Sequence, residues 1–475
     1  MKYFTHFTLS KEMKYLIALA FPIVGSNLFQ LAYNIVDMVW VGHLGSNAVA
    51  AVGSAGFYLN LSWAFATIIT MGVNVKVSQS VGAGNKSEQH SFSSSGLFSI
   101  VLLAIVFFTV IYTNAEHLIA FYEIGNVEVE ETAVSFLRLS LFAYFFSFIN
   151  LFFVSLINAY GYTSLSFRSS IIGIVANIIL DPIFIFGFKM GVEGAAWATI
   201  VGFSLSAVSL LYYVFVKKIV RFGNFKFEKR HLKQIIGVGL PASLQRILFI
   251  VIYIFLAKII ALWGPTALAV QKVGVQIEAI SYMLVGGLSQ AMAIAVGHCY
   301  GAMEYNRLRK TYFAGVKIAV LVGAINTVLF LFIPEILFSF FFSESQSIKL
   351  GGDYLRILAF SQVFMCFEMI SAGAYNGLGK TYIPAFISIL NNALRVPVAY
   401  LLGKYTFLEL NGVWLSVSIT SFVKGVVLFI LFSLTLKYLL EDPNVDQTAK
   451  SMACKMRKSK FVKILSVNSV IKNSK

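Results

Sequence analysis

The chain has 475 residues, 58% of them hydrophobic and only 12% charged, with a mean hydropathy of +0.80. Soluble domains run near ~25% charged, so the composition excludes a soluble globular protein and indicates one that crosses a membrane many times. The formal net charge of +16 is gathered at the two ends and in one central loop, a distribution that fits the positive-inside bias of membrane proteins and argues against a nucleic-acid partner.

Residues 1–14 read as a polar N-terminus, and the apolar run that follows is too long for a signal-peptide core, so no cleavage is expected. That run, Leu16 to Leu44, exceeds the ~20 residues a helix needs to span a bilayer. It holds Pro22, no Lys or Arg, and a single carboxylate, Asp37. A carboxylate at such depth is costly and counts as a functional hypothesis by default. Asn27, Gln30, Asn34 and Asp37 are spaced i, i+3, i+7, i+10, which at 100° per residue places them within an arc of roughly 80°. This polar face cannot look at lipid; it lines a cavity or meets another helix.

Apolar runs of span length recur at 15–42, 48–74, 92–113, 133–157, 166–188, 193–216, 235–262, 267–296, 311–333, 353–374, 382–403 and 411–436. One set of connecting loops carries Lys86, Arg168, the cluster from Lys217 to Lys233, then Arg307, Arg309, Lys310 and Lys380. The other set carries Lys189, Lys349, Lys404 and the acidic run Glu123, Glu128, Glu130, Glu131. Twelve spans with both termini on the basic, cytoplasmic side are self-consistent. Residues 217–234 form a basic linker, and 437–475 a basic tail that either rests on anionic lipid or is a solvated end. Cys299, Cys366 and Cys454 have no metal-type spacing and read as inert thiols.

The two halves repeat. Pro22, Gly45, Ala48, Ala50, Gly82 and Ala83 recur 219 residues later as Pro241, Gly264, Ala267, Ala269, Gly301 and Ala302. Arg138, Asn158, Gly161 and Gly194 recur 218 later as Arg356, Asn376, Gly379 and Gly412. Six spans per half give both halves the same orientation. The fold class expected is an all-α membrane protein of twelve helices, with lobes at 15–216 and 235–436 related by a pseudo-twofold axis along the membrane normal, as in transporters that rock two bundles about a central site.

The halves differ in charge. Asp37 and Asp181 are the deep ionisable residues of the first half, with Asn177 one helical turn before Asp181 and Pro182 removing a backbone donor just after it. Two desolvated carboxylates without a base welcome a proton or a metal cation. The second half sets Arg246, Glu278, Glu368 and Arg395 near mid-span, two acids and two bases that can neutralise each other or serve substrate. By the repeat offset Asn27 maps to Arg246, Asn150 to Glu368 and Asn177 to Arg395. The first half is therefore expected to bind the coupling cation and the second to be electrically self-satisfied.

The string Tyr33-Asn34-Ile35-Val36-Asp37 with Val41-Gly42 and Leu44-Gly45 resembles the first helix of MATE (multidrug and toxic compound extrusion) transporters. Asn177-Ile178-Ile179-Leu180-Asp181-Pro182 resembles their fifth helix, and Val296-Gly297 with Gly301-Ala302 the end of their eighth. The likeness runs over about residues 10–440 and is nearest the DinF-like branch. It implies a pump that exports organic cations or amphiphilic drugs in exchange for inward H⁺ or Na⁺, with no cofactor. It matches the coupling residues to Asp37, Asn177 and Asp181, where Na⁺ would sit, with Asn34 beside them, and implies a first helix that bends at Pro22. Another branch puts its acids in the seventh and tenth helices; here the seventh has Arg246 and no acid, while the tenth has Glu368.

Residues expected to line the substrate cavity are Asn27, Gln30, Tyr33, Asn34, Asn60, Trp63 and Tyr253, with Arg246, Glu278, Glu368 and Arg395. Aromatic faces suit delocalised cations. The partners expected are a small-molecule substrate and membrane lipid, in a monomer of the cytoplasmic membrane. The rival within transport is a flippase for a lipid-linked precursor, which calls for several basic residues around a pyrophosphate. A membrane enzyme lacks support, because His6, His43, His90, His117, His231 and His298 all lie at span ends or in loops. A channel needs no such carboxylate pair.

Overall fold

The computed structural model describes residues 10–218, 220 and 227–441, and among these there are α-helices and no strand. The basic residues beyond Glu441, Arg221 and Lys226 of the linker's cluster, and Cys454 lie outside the described residues. In chain order the helices are α1 (Lys11–Gly42), α2 (Ser46–Gly82), α3 (Lys86–Thr113), α4 (Ala115–Ala120), α5 (Val127–Ala159), α6 (Thr163–Pro182) and α7 (Val192–Leu211). The second half continues with α8 (Lys229–Ile260), α9 (Pro265–Gly301), α10 (Tyr305–Phe332), α11 (Pro334–Ser339), α12 (Ser345–Ala359), α13 (Gln362–Gly377), α14 (Tyr382–Tyr405) and α15 (Glu409–Glu441). Two compact units are distinguished, Met1–Phe429 and Ile430–Lys475. The described part of the second is the end of α15, where Lys437 lies 3.8 Å from Glu441 one turn on.

Eleven of these helices are long and apolar enough to cross a membrane, and the pair α12 and α13, bent by 52°, makes a twelfth. The tenth span is thus broken where the sequence led us to expect one run. At the break the Ser361 hydroxyl donates to the Leu358 carbonyl at 2.9 Å, an oxygen that would otherwise bond along the helix. Several spans outlast their apolar runs because capping side chains start them in polar sequence. Ser10 accepts from the Met13 amide, Asn85 from Glu88, and Asn126 from Glu128 and Val129. Pro182 closes α6 and the chain continues as a π-turn, Ile183–Gly187. Pro22 lies inside α1, which is a single helix from Lys11 to Gly42.

The repeat is visible in the backbone. Gly45 and Gly264 open α2 and α9 at φ +103° and +93°, and Gly161 and Gly379 turn the chain at +87° and +73°, a region of φ that side chains resist. Arg138 pairs with Glu116 at 2.9 Å, and its repeat mate Arg356 pairs with Glu335 at 2.6 Å. Each half has its own apolar core, with Leu141, Phe148 and Phe152 central in the first and Phe338, Tyr354 and Trp414 in the second.

Between the halves, α2 meets α8 and α9 over the stretches nearest the basic loops. Gly72 and Gly239 let backbones touch: a Cβ on either would collide with the Ile235 or Ile68 backbone. Ser243 donates to the Ala64 carbonyl at 2.8 Å, and Gln79 to that of Gly377 at 2.9 Å. His298 Nε2 lies 2.7 Å from the Ala159 carbonyl and Nδ1 lies 3.0 Å from the Tyr15 hydroxyl. A carbonyl can only accept, so the ring proton sits on Nε2 and Tyr15 donates to Nδ1. Toward the acidic loops the helices part. Asn60 is exposed, and Gly56 and Gly53 have no atom within 4 Å of an added Cβ. The α2–α8 seam is thus closed nearest the basic loops and open at Gly56 and Gly53.

Candidate functional site

Asp181 and Asn177 project from the last turns of α6 and are buried, at 0% and 3% exposure. The Asn177 amide nitrogen donates to the Thr199 hydroxyl at 3.2 Å, and Thr199 in turn donates to the Ala195 carbonyl of its own helix, α7, at 2.9 Å. That bond commits the amide's donor end and turns its oxygen free. Tyr33 of α1, buried, brings its hydroxyl to 3.5 Å from the same Thr199. Asp37, one turn further along α1, acts electrostatically on Asp181, and both act on Tyr33.

Both carboxylate oxygens of Asp181 and the side-chain oxygen of Asn177 are buried with no hydrogen-bond partner. Among the described residues no Lys or Arg pairs with either aspartate. A buried carboxylate left this way is costly by several kcal/mol, and the cost is relieved by a proton or by a hard cation that takes oxygen ligands. Asp37, Asn177 and Asp181 are therefore brought together, while Asn34 lies outside this pocket, exposed and accepting from Gln30 at 3.2 Å. Tyr33, expected on the cavity wall, belongs to the pocket. Thr199 and Tyr144, which also feels Asp37, were not foreseen; a Thr and a Tyr in apolar runs carry no sequence signal of their own.

The second-half quartet is arranged differently from the expectation. Glu368 is paired with Lys424 of α15 at 2.8 Å and accepts from Ser388 at 3.2 Å. Glu278 accepts from the Tyr354 hydroxyl at 2.8 Å. Arg395 donates to Thr420 at 3.0 Å and Ser421 at 3.3 Å. Glu278 and Arg395 are each 7% exposed, inside the second bundle rather than on an open cavity wall, which corrects their placement as lining residues. Arg246 stands apart from this network, over the Trp63 ring at 6.0 Å. The base that replaces it in the network, Lys424, was legible as a lysine inside the twelfth apolar run and was missed. At the position related by the repeat to Asn177, the second half thus carries a tethered cation, Arg395, where the first half presents bare oxygens. Asn27 lies in the seam, donating to the Met283 carbonyl at 3.4 Å. Asn34, Asn60 and Arg246 are exposed, Gln30 and Trp63 half-buried, and Tyr253 turns to Gln271 of the second bundle. Among the described residues Arg395 is committed to Thr420 and Ser421, apart from Arg246.

A family model described as MatE matches residues 22–183 and 241–401, one segment in each half. A Thermotoga maritima protein named "Probable multidrug resistance protein NorM" is 28% identical over 440 residues, covering 90% of this chain and 91% of its own. The multidrug resistance protein NorM of Photobacterium profundum is 26% identical over 416 residues, covering 83% and 88%. Among solved structures, a MATE in the bent conformation superposes with a TM-score of 0.84 at 25% identity, over 91% of this chain and 99% of that one.

Proposed function

The chain belongs to the MatE family of multidrug efflux transporters, and from that premise we propose that it is a secondary antiporter, exporting amphiphilic small molecules in exchange for H⁺ or Na⁺ taken up at Asp37, Asn177 and Asp181. The observation that carries this reading is the set of three buried, unpartnered oxygens on Asp181 and Asn177. A site of this kind is unstable when bare and is stabilised by a small cation, so it gains free energy from loading on the side of higher electrochemical potential. The basic loops are cytoplasmic in this scheme, both termini with them, and the cleft faces outward in the conformation described. The protein acts as a monomer in the cytoplasmic membrane, its two six-helix lobes exchanging access. The acid-bearing motifs of α1 and α6 support the DinF-like branch.

Coupling requires that cation and substrate disfavour one another, and linkage makes the effect reciprocal. Loading the pocket neutralises Asp37 on the polar face that Gln30 and Asn34 extend along α1, which removes the negative charge holding a cationic group in the cleft. Pro22 lacks the amide that would bond within α1, and gives the helix a place to flex as the pocket fills.

The test is dye export from proteoliposomes under a proton gradient alone and a Na⁺ gradient alone. One of the two should drive export, and Asp37→Asn should abolish the driven component. Export that answers to neither gradient would overturn the proposal.

A further inference from the structure

A cavity of about 880 Å³ lies among α3, α4, α5 and α7, at the acidic-loop end of the first half. Its size is that of a small-molecule site, roughly 300–1,000 Å³. One wall is a single stripe of α5. The contributions run from Val127 to Phe142 at i, i+3, i+4, i+7 and onward, which is one helix face, and they cover about 22 Å of rise. That is the depth of one leaflet with its headgroups, half of the ~40–45 Å of a whole bilayer.

The cavity is separate from the coupling pocket. Trp197 of α7 lines it, while Thr199, which holds Asn177, is two residues on and about 200° round the helix. Phe142 of α5 lines it, and Tyr144, which feels Asp37, is again two residues on. The cavity therefore sits on the back of the helices that carry the coupling chemistry.

Its polarity is graded with depth. Glu130 and Glu131 stand near the start of α5, and among the described residues no base pairs with either. One turn deeper, Ser135 donates to Glu193 of α7 at 2.5 Å. Below that, Arg138 pairs through one terminal nitrogen with Glu116 at 2.9 Å and keeps 35% of its side chain exposed. Deepest are Leu139, Phe142 and Trp197, the last two exposed.

The internal repeat separates what the fold requires from what is added. Glu116 and Arg138 recur as Glu335 and Arg356, paired at 2.6 Å, so this ion pair fastens the same junction in both halves. Glu130, Glu131, Glu193 and Trp197 fall instead on Ile348, Lys349, Asn411 and Leu415, 218 residues later. The extra carboxylates and the indole ring belong to the first half alone.

We infer that this groove holds one phospholipid of the outer leaflet whose headgroup ends in a primary ammonium. The groups come in the right order. The ammonium meets Glu131 and Glu193, with Glu130 at the rim; the phosphate sits deeper, at Arg138; an acyl chain runs along Leu139, Phe142 and Trp197. An ammonium donates three charge-assisted hydrogen bonds, and a trimethylammonium has none to give. Four carboxylates against one guanidinium leave the lining at a net −3, which disfavours a headgroup whose only charge is negative. The apolar floor decides between a lipid and a free amine, because it extends into the depth of the membrane. The inference goes beyond the efflux reading and takes from it only the orientation that makes this leaflet the outer one.

The test titrates the purified full chain in detergent with dioleoyl lipids and follows the bound lipid by native mass spectrometry. Phosphatidylethanolamine should bind about tenfold more tightly than phosphatidylcholine or phosphatidylglycerol, the worth of one charge-assisted hydrogen bond. Glu131→Gln combined with Glu193→Gln should erase that preference and leave phosphatidylcholine binding unchanged. Glu123→Gln, at an exposed acid of the neighbouring loop outside the cavity, should keep it. Val134→Trp fills the groove without altering charge and should weaken the first bound lipid whatever its headgroup. A wild type without preference would overturn the assignment, and so would a preference that survives either the double variant or Val134→Trp. Dodecylammonium, which lacks the phosphate, should compete at least about tenfold less well; competition equal to the lipid's would show a bare ammonium site and sink the lipid.

Discussion

Asp181 is the residue on which the coupling chemistry turns. It is fully buried, its oxygens have no donor, and the charged group that acts on it, Asp37, is another carboxylate. A ligand that binds the folded state alone raises stability by RT ln(1 + [L]/Kd), about 2.7 kcal/mol at a hundredfold excess over Kd. The melting temperature of the purified protein should therefore rise with the coupling cation, and Asp181→Asn should abolish that rise while melting higher than wild type in its absence. The reason for the second effect is that an amide removes the uncompensated charge. A cation-dependent shift that survives in Asp181→Asn would place the bound ion elsewhere. The same comparison made with Na⁺ at fixed pH, and with pH at fixed Na⁺, names the ion.

At the scale of elements, the second bundle is pinned by ion pairs where the first keeps a pocket. Lys424 on α15 and Glu368 on α13 are largely buried, at 8% and 13% side-chain exposure. Removing one partner of such a pair leaves a buried charge and costs about 3–5 kcal/mol, whereas replacing both by apolar groups is close to neutral. Lys424→Met should thus lower the melting temperature sharply, and adding Glu368→Leu should restore most of it; a double variant as unstable as the single would show that the pair does not act as a unit. The seam between α2 and α8 is the other element-scale device. Gly239→Val forces a side chain into the Ile68 backbone, and overpacking of this kind costs about 1–3 kcal/mol. Part of that strain is relieved by separating the helices. In a background without native cysteines, Ser78→Cys, buried at the seam, should react with maleimide about tenfold faster when Gly239→Val is present, as expected for a shift of about 1.4 kcal/mol.

For the whole molecule, the seal on the basic side sets which way the cleft opens. His298 ties α9 of the second half to the Ala159 carbonyl and the Tyr15 hydroxyl of the first. His298→Phe deletes both bonds, each worth about 0.5–1.5 kcal/mol, and leaves the Ala159 carbonyl without its donor. The equilibrium should move away from the acidic-side-open state. Spin labels at Gly56 of α2 and at Ile254 of α8, which is exposed, should show a smaller long-distance population in His298→Phe than in the parent; an unchanged distribution would mean that the glycine contacts alone hold the seal.

Sequence by itself determined the class, the repeat and the two acids of the pocket. Span length is a direct readout of bilayer thickness, a glycine at positive φ marks a turn wherever it occurs, and a carboxylate in an apolar run is conspicuous because lipid makes it costly. Asp37 and Asp181 were found on that ground, and so could Lys424 have been. Tertiary structure alone decided who meets whom. Thr199 orients Asn177 across two helices, Tyr354 and Lys424 take the second-half acids, and Arg246 is left over the Trp63 ring with no acid acting on it. Helical periodicity tells which face of one helix a side chain occupies, but the rotation and depth of a neighbouring helix come from packing over its whole length, and small residues such as Gly72 and Gly239 fix that packing through contacts no local pattern encodes.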